Sequence, residues 1–148
     1  MSLLQPEVFL DTDVILDLGL DREPFGVVAL HLFARIEAGT VSAATSTLVL
    51  VNAYYVLRKA AGHSKALAFL ADLTSKVRPL GTDAGAWRLA VASGWGDLED
   101  AVQHSIAVAA GVDAVITRNT DDWKGSAVPV YQPDEWLALV PQAESQSE

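Results

Sequence analysis

The stretch Val8-Phe9-Leu10-Asp11-Thr12-Asp13-Val14 decides how the chain is read. Residues 7–10 are mostly apolar with β character, and the run ends directly on Asp11. Residues 14–20 stay largely apolar but change period, which reads as strand, tight turn, helix. A second stretch has the same form: Val115-Ile116-Thr117-Arg118-Asn119-Thr120-Asp121-Asp122-Trp123. Residues 114–117 are its expected strand, and a polar loop follows. In open parallel sheets, ligands bind beyond the carboxyl ends of the strands. If these two strands are neighbours, Asp11 and the loop 119–122 share one crevice.

Between the two stretches, helices and strands alternate. Leu30, Phe33 and Ala34 give the helical period over residues 27–37, and Gly39 is placed to close that helix. Residues 41–44 read as a strand. Thr45, Ser46 and Thr47 offer caps for a long helix over 48–61, which Gly62 ends. A helix over 64–76 leads to a strand at 77–80, where Pro79 suggests an edge position. Helices follow at 83–92 and 99–110, the latter stopped by Gly111. Beyond the second stretch, residues 127–131 read as a fifth strand. Residues 133–139 form a last helix with Pro133 at its first position. This order implies parallel β/α units and a sheet covered on both faces, an α/β fold.

The chain of 148 residues has the length of one ordinary domain. The expectation is a single unit with an ordered core over residues 7–139 and a frayed polar tail at 141–148. Half of the residues are apolar and only 20% are charged, which argues against disorder. No apolar run approaches the roughly 18 residues of a membrane span, and the start lacks the pattern of a signal peptide. Cysteine is absent, so there is no disulfide framework and no thiolate metal site. A cytoplasmic protein is expected. The net charge of −9 is the wrong sign for a protein that grips nucleic acid by phosphate contacts alone. Metal ions or a basic partner would have to offset part of it.

A third acidic group is Asp97-Leu98-Glu99-Asp100. Asp97 has an ordinary role as a helix N-cap with Asp100 three residues on. Ala101, His104, Ala107 and Val108 then follow at helical spacing, which puts Asp100 on or beside the face turned to the sheet. An unpaired carboxylate there costs several kcal/mol. A divalent cation removes that cost, because hard ions take carboxylate and water oxygens. Asp13 and Asp121 likewise have ordinary roles, as a helix cap and in an Asx turn. His31, His63 and His104 lack zinc-site spacing. The four tryptophans, at 87, 95, 123 and 136, read as core or interface residues.

With these groups in order, the sequence resembles the PIN domain, and especially the VapC-type toxins. The matching pieces are Val8 to Val14, Glu99-Asp100-Ala101-Val102-Gln103, and Ile116 to Trp123. The resemblance implies a three-layer α/β/α sandwich with a central, mostly parallel sheet of four to five strands. It implies an endoribonuclease that uses Mg²⁺ or Mn²⁺ to hydrolyse RNA phosphodiesters, often as a homodimer paired with an antitoxin. Carried over by position, Asp11, Asp100 and Asp122 are the metal-site acids and catalytic residues. Thr117 and Asn119 are supporting polar groups. Asp13 stands where the family often has Asn or Ser. Family nucleases usually carry a glutamate early in the long third helix, and Asn52 stands at that place here. Asp13, Asp97 or Glu99 would then make up the charge. Arg118, just past its strand, is a candidate phosphate contact.

Two rivals stand beside this reading. One is a catalytically weakened PIN-like domain that only binds a partner, for which Asn52 is the main support. The other is a HAD-type phosphatase, with Asp11-Thr12-Asp13-Val14 as nucleophile motif and Asp121-Asp122 as acidic pair. Against it, no lysine lies between Thr117 and Asp121.

Overall fold

The computed structural model describes residues 5–140. The tail expected at 141–148 lies outside the described residues. Five parallel strands form one sheet, β1 (Glu7–Leu10), β2 (Ser42–Ser46), β3 (Val77–Leu80), β4 (Ala114–Ile116) and β5 (Val130–Tyr131). Their order across the sheet is β3-β2-β1-β4-β5. All four pairings are parallel, so the sheet is wholly rather than mostly parallel. β3 is an edge, which is where Pro79 can sit without removing a ladder bond.

Among the described residues, seven α-helices connect or follow the strands: α1 (Thr12–Gly19), α2 (Phe25–Glu37), α3 (Thr47–Ala61), α4 (His63–Thr74), α5 (Ala84–Ala92), α6 (Leu98–Ala110) and α7 (Pro133–Leu139). Helices α1 to α4 pack on one another and α7 joins α2, while α5 and α6 pack together as a separate pair. The sheet is thus the middle of three layers. Val8, Phe9, Leu10, Val115 and Ile116 are fully buried within it. This is the pattern of central parallel strands covered on both faces. Among the described residues, no helix is long and apolar enough to cross a membrane.

Several element ends differ from the sequence expectation, each for a local reason. α1 starts at Thr12 rather than Val14 because Asp11, not Asp13, is its cap: the Asp11 carboxylate accepts from the Thr12 backbone N–H. Asp13 instead lies in the first turn, where a negative charge suits the helix dipole. α3 is capped by Ser46, whose hydroxyl accepts from the Val49 N–H. α4 stops at Thr74, short of the expected residue 76, because the Ser75 and Lys76 N–H groups fold back to Asp72 and Leu73. The fifth strand is only two residues long. Ser126 and Val128 bond each other in a turn, and Pro129 has no N–H to offer the ladder.

The chain leaves β1 towards β2 on one side and reaches β4 on the other. The order of strands therefore reverses between β1 and β4, which is where open α/β sheets bind ligands. Leu10 and Ile116 are register partners, so Asp11 and Thr117 emerge side by side from the sheet. One ion pair locks this corner. Asp17 of α1 is 1% exposed and accepts two bonds from Arg118 beyond β4, at 2.6 and 3.1 Å. Breaking a buried pair by removing one charge costs about 3–5 kcal/mol. Asp17→Asn should lose stability on that scale in urea denaturation; a change below about 1 kcal/mol would mean that the pair is not what holds α1 to β4.

Candidate metal centre

Asp11 is the first residue after β1 and is 6% exposed. Its Oδ1 accepts from the Thr12 N–H at 2.8 Å, and its Oδ2 from the Thr117 hydroxyl at 2.8 Å. The same hydroxyl lies 3.4 Å from Asp13 Oδ2 and accepts from the Asn119 N–H at 3.1 Å. Asp13 Oδ2 also accepts from the Arg118 backbone N–H at 2.9 Å. Thr117, fully buried, thus ties the ends of β1 and β4 together through the two acids. Asp122 stands on a single 3-10 turn, Thr120–Trp123, whose start is pinned by an Asp122 N–H to Asn119 C=O bond.

The third acidic group arrives from the start of α6. Asp97 caps the helix by accepting from the Asp100 N–H at 2.9 Å, as its spacing suggested. That bond leaves the Asp100 carboxyl free. Asp11, Asp13, Asp97, Glu99, Asp100 and Asp122 line one basin of about 300 Å³, together with Thr12, Leu16, Arg22 and Asn119. The acids ring the basin rather than meet at a point. Among the described residues, no three acidic or histidine side chains form a ready-made set of metal ligands. An ion that keeps several of its waters and takes one or two carboxylates directly does not need such a set. Asp13 Oδ1 and Thr12 Oγ1 are buried without hydrogen-bond partners. Oxygen donors left unpaired beside an acid-ringed basin fit a hard divalent cation and its water shell.

Comparison with known proteins assigns the fold a family. The PIN domain family model matches residues 7–121, a span that runs from β1 to one residue short of Asp122. The chain belongs to the PIN domain family. Its structure is similar to VapC20 from Mycobacterium tuberculosis, a toxin that cleaves the sarcin-ricin loop, with a TM-score of 0.66 and 21% identity over 80% of this chain and 94% of that one. It is similar as well to a chain of a toxin-antitoxin complex from Klebsiella pneumoniae, with a TM-score of 0.66 and 22% identity over 85% and 97%. A third match is to VapBC2 from Rickettsia felis bound to a promoter DNA fragment, with a TM-score of 0.62 and 15% identity over 85% and 98%. The sequence matches none of the curated proteins.

Two residues of this PIN domain do something other than the sequence suggested. The Arg118 guanidinium does not line the basin; it is spent on Asp17 and lies 3.9 Å from the centre of the Phe25 ring. Arg118 reaches the acids through its backbone N–H, which bonds Asp13, while its charge helps from a distance to hold the Asp13 carboxyl down. Asn52 does not line the basin either. Its Nδ2 donates to Glu99 Oε1 at 3.0 Å. The residue standing where the family has glutamate therefore holds a glutamate from the next element of the site. His104 is packed, stacked on Trp95 with ring centres 4.6 Å apart and accepting from the Ala127 N–H. Trp95 also meets Trp123 edge-on, so this cluster backs the turn that carries Asp122. Sequence reasoning missed Thr12, Leu16 and Arg22 among the lining residues; a loop arginine after α1 carries no distinguishing signal.

Burial and crowding push the acids towards their neutral forms. Asp11 is raised above the usual carboxylate value, first by burial, although its bonds from Thr12 and Thr117 oppose this. Asp13 is raised to about 6 by burial and then by the Asp11 charge. Asp100 is raised to about 7 by burial, then by Asp11, Asp97, Asp122 and Glu99. An acid raised in the folded state binds protons that the unfolded chain, with a value of 3.8, has already released. Its stabilisation is complete below that value and is lost as pH rises through about 7. His104, lowered by burial, works in the opposite sense below its ordinary 6.5, so the effect is best read as a difference between proteins. In EDTA, wild type should lose stability relative to Asp100→Asn as pH rises from 5 to 8, and Mn²⁺ at pH 7.5 should raise the wild-type Tm. Parallel pH profiles for the two proteins would contradict the crowding.

Proposed function

We propose that this PIN domain is a metal-dependent endoribonuclease that hydrolyses RNA phosphodiesters with Mg²⁺ or Mn²⁺, the toxin of a toxin-antitoxin pair. The carrying observation is the acid-ringed basin at the β1/β4 switch, with the unpaired Asp13 oxygen at its wall. Asp11, Asp100 and Asp122 are the residues that would hold the ion. When bound, a divalent ion supplies positive charge at the phosphate and acidifies water at neutral pH. Thr117 fixes the Asp11 carboxylate in one orientation. Asp122, exposed on its turn, orients the attacking water, and Asn119 holds that turn. Asp97 presents Asp100 by capping α6, and Glu99 adds charge from a position that Asn52 fixes. Kinship to the PIN domain and likeness to VapC20 support this reading.

The structural neighbours in toxin-antitoxin complexes support an antitoxin as partner. Leu30, Val51 and Tyr55 are exposed on α2 and α3, which favours a homodimer through the N-terminal half. We read residues 7–139 as one PIN unit. Family membership stands against the HAD-type phosphatase. The weakened, partner-binding reading drew on Asn52, and the bond from Asn52 to Glu99 removes much of that support, because the charge is retained nearby.

The test is incubation of structured and single-stranded RNA with Mn²⁺, Mg²⁺ or EDTA. Cleavage is expected with either metal and none with EDTA. Asp11→Asn and Asp100→Asn should each reduce the rate by at least about 100-fold, and p-nitrophenyl phosphate should remain intact. Calorimetric titration adds a second readout. Asn52→Ala should weaken Mn²⁺ binding by about tenfold, as loss of an outer partner does, and by less than Asp100→Ala. Absence of cleavage with any metal, together with wild-type Mn²⁺ affinity in Asp100→Ala, would reject the proposal.

A further inference from the structure

Among the described residues, Arg22 is the only cation lining the basin, beside six carboxyl groups. Two arginines, Arg22 and Arg118, approach one buried acid, Asp17. Arg118 takes that carboxylate in a fork, with both contacts at hydrogen-bond distance. Arg22 Nη1 stays 4.0 Å from Asp17 Oδ1, beyond a hydrogen bond. Arg118 thus makes both hydrogen bonds to the Asp17 carboxylate, and Arg22 keeps only a longer charge contact with it. The Arg22 side chain is 38% exposed.

The loop that carries Arg22 is built to hold it in place. The Arg22 N–H donates to the Asp17 carbonyl at 3.2 Å, and its own carbonyl accepts from the Gly26 N–H. Gly26 has no room for a side chain: a Cβ there would lie 2.7 Å from Asp21 Oδ1 and 3.1 Å from the Asp21 backbone. Backbone position is therefore fixed on both sides, while the guanidinium is free to engage a ligand. Planar guanidinium groups suit phosphate, which they can bind through two parallel N–H bonds.

We propose that Arg22 grips a phosphodiester of single-stranded RNA at the rim of the basin, the role expected above for Arg118. This rests on the ribonuclease reading above. In a chain of net charge −9, an arginine among the acids gives the polyanion a point of attraction there besides the metal ion. Asp17 acts as a shared anchor: Arg118 neutralises it, and Arg22 is held close without being consumed.

The experiment compares wild type, Arg22→Gln, Arg22→Lys and Lys76→Gln. Lys76 precedes β3 at the opposite end of the sheet and pairs with Glu37, so it serves as the control. Cleavage of a fluorescent single-stranded RNA oligonucleotide gives KM and kcat. Anisotropy with Mn²⁺, in an Asp122→Asn background, gives its Kd as a function of KCl. Arg22→Gln should raise KM and Kd about tenfold, as loss of one charge-assisted phosphate bond does. Mn²⁺ affinity and kcat should stay near wild type. The salt slope should shrink by about 0.7, the value for one phosphate of a single strand. Arg22→Lys should keep that slope, and Lys76→Gln should match wild type throughout. A wild-type KM and slope in Arg22→Gln, or a loss confined to kcat or Tm, would overturn the inference while the ribonuclease reading stands. A wild type that neither cleaves nor binds RNA would overturn both.

Discussion

A carboxylate buried without a cation organises this molecule. Asp11 is buried, and among the described residues no arginine or lysine forms an ion pair with it. Its charge is met by the Thr12 N–H, the Thr117 hydroxyl and the first turn of α1. Such an arrangement is costly for a fold that has a cation within reach. Arg118 is close, yet its guanidinium is committed to Asp17 one turn deeper in α1. The fold thus keeps the Arg118 guanidinium away from the basin, where, among the described residues, Arg22 alone stands among the six acids. That is a sound arrangement for holding a divalent ion and a poor one for stability alone.

The supporting parts follow from that constraint. The register of β1 against β4 sets Thr117 beside Asp11, and the αL glycine at the end of α6, Gly111, turns the chain into β4 at the right level. Gln103, fully buried on α6, accepts from the Ser46 hydroxyl that also caps α3. The two helices that carry Asn52 and Glu99 are therefore tied to each other beneath the acids. The Trp95, His104 and Trp123 cluster supports the remaining wall.

Much of this was legible in the sequence, because strands that end on acids announce both a sheet and its functional edge. Asp11 after Leu10, Thr117 after Ile116 and the Asp97–Asp100 cap needed only local rules. The edge position of β3 agrees with the reading of Pro79. What escaped depended on rotation about a helix axis or on contacts far apart in the chain. Nothing local to Arg118 shows that Asp17, 101 residues away, faces it. Asn52 was placed at the site by resemblance, but its contact is with Glu99 rather than with the basin. Arg22 lay in a loop whose polar composition hid it. The fifth strand was legible but not its shortness, because an apolar run reads as a strand even where a serine turn and a proline interrupt its bonding.

The central claim is that the acid basin binds a divalent cation. The most direct measurement is a crystal structure of the protein grown with Mn²⁺, with the metal located by anomalous scattering. The account requires an anomalous peak in the basin, with carboxylate oxygens of Asp11 and of Asp100 or Asp122 at roughly 2.0–2.3 Å from it. A basin without a peak at saturating Mn²⁺, or a peak bound elsewhere on the protein alone, would contradict it.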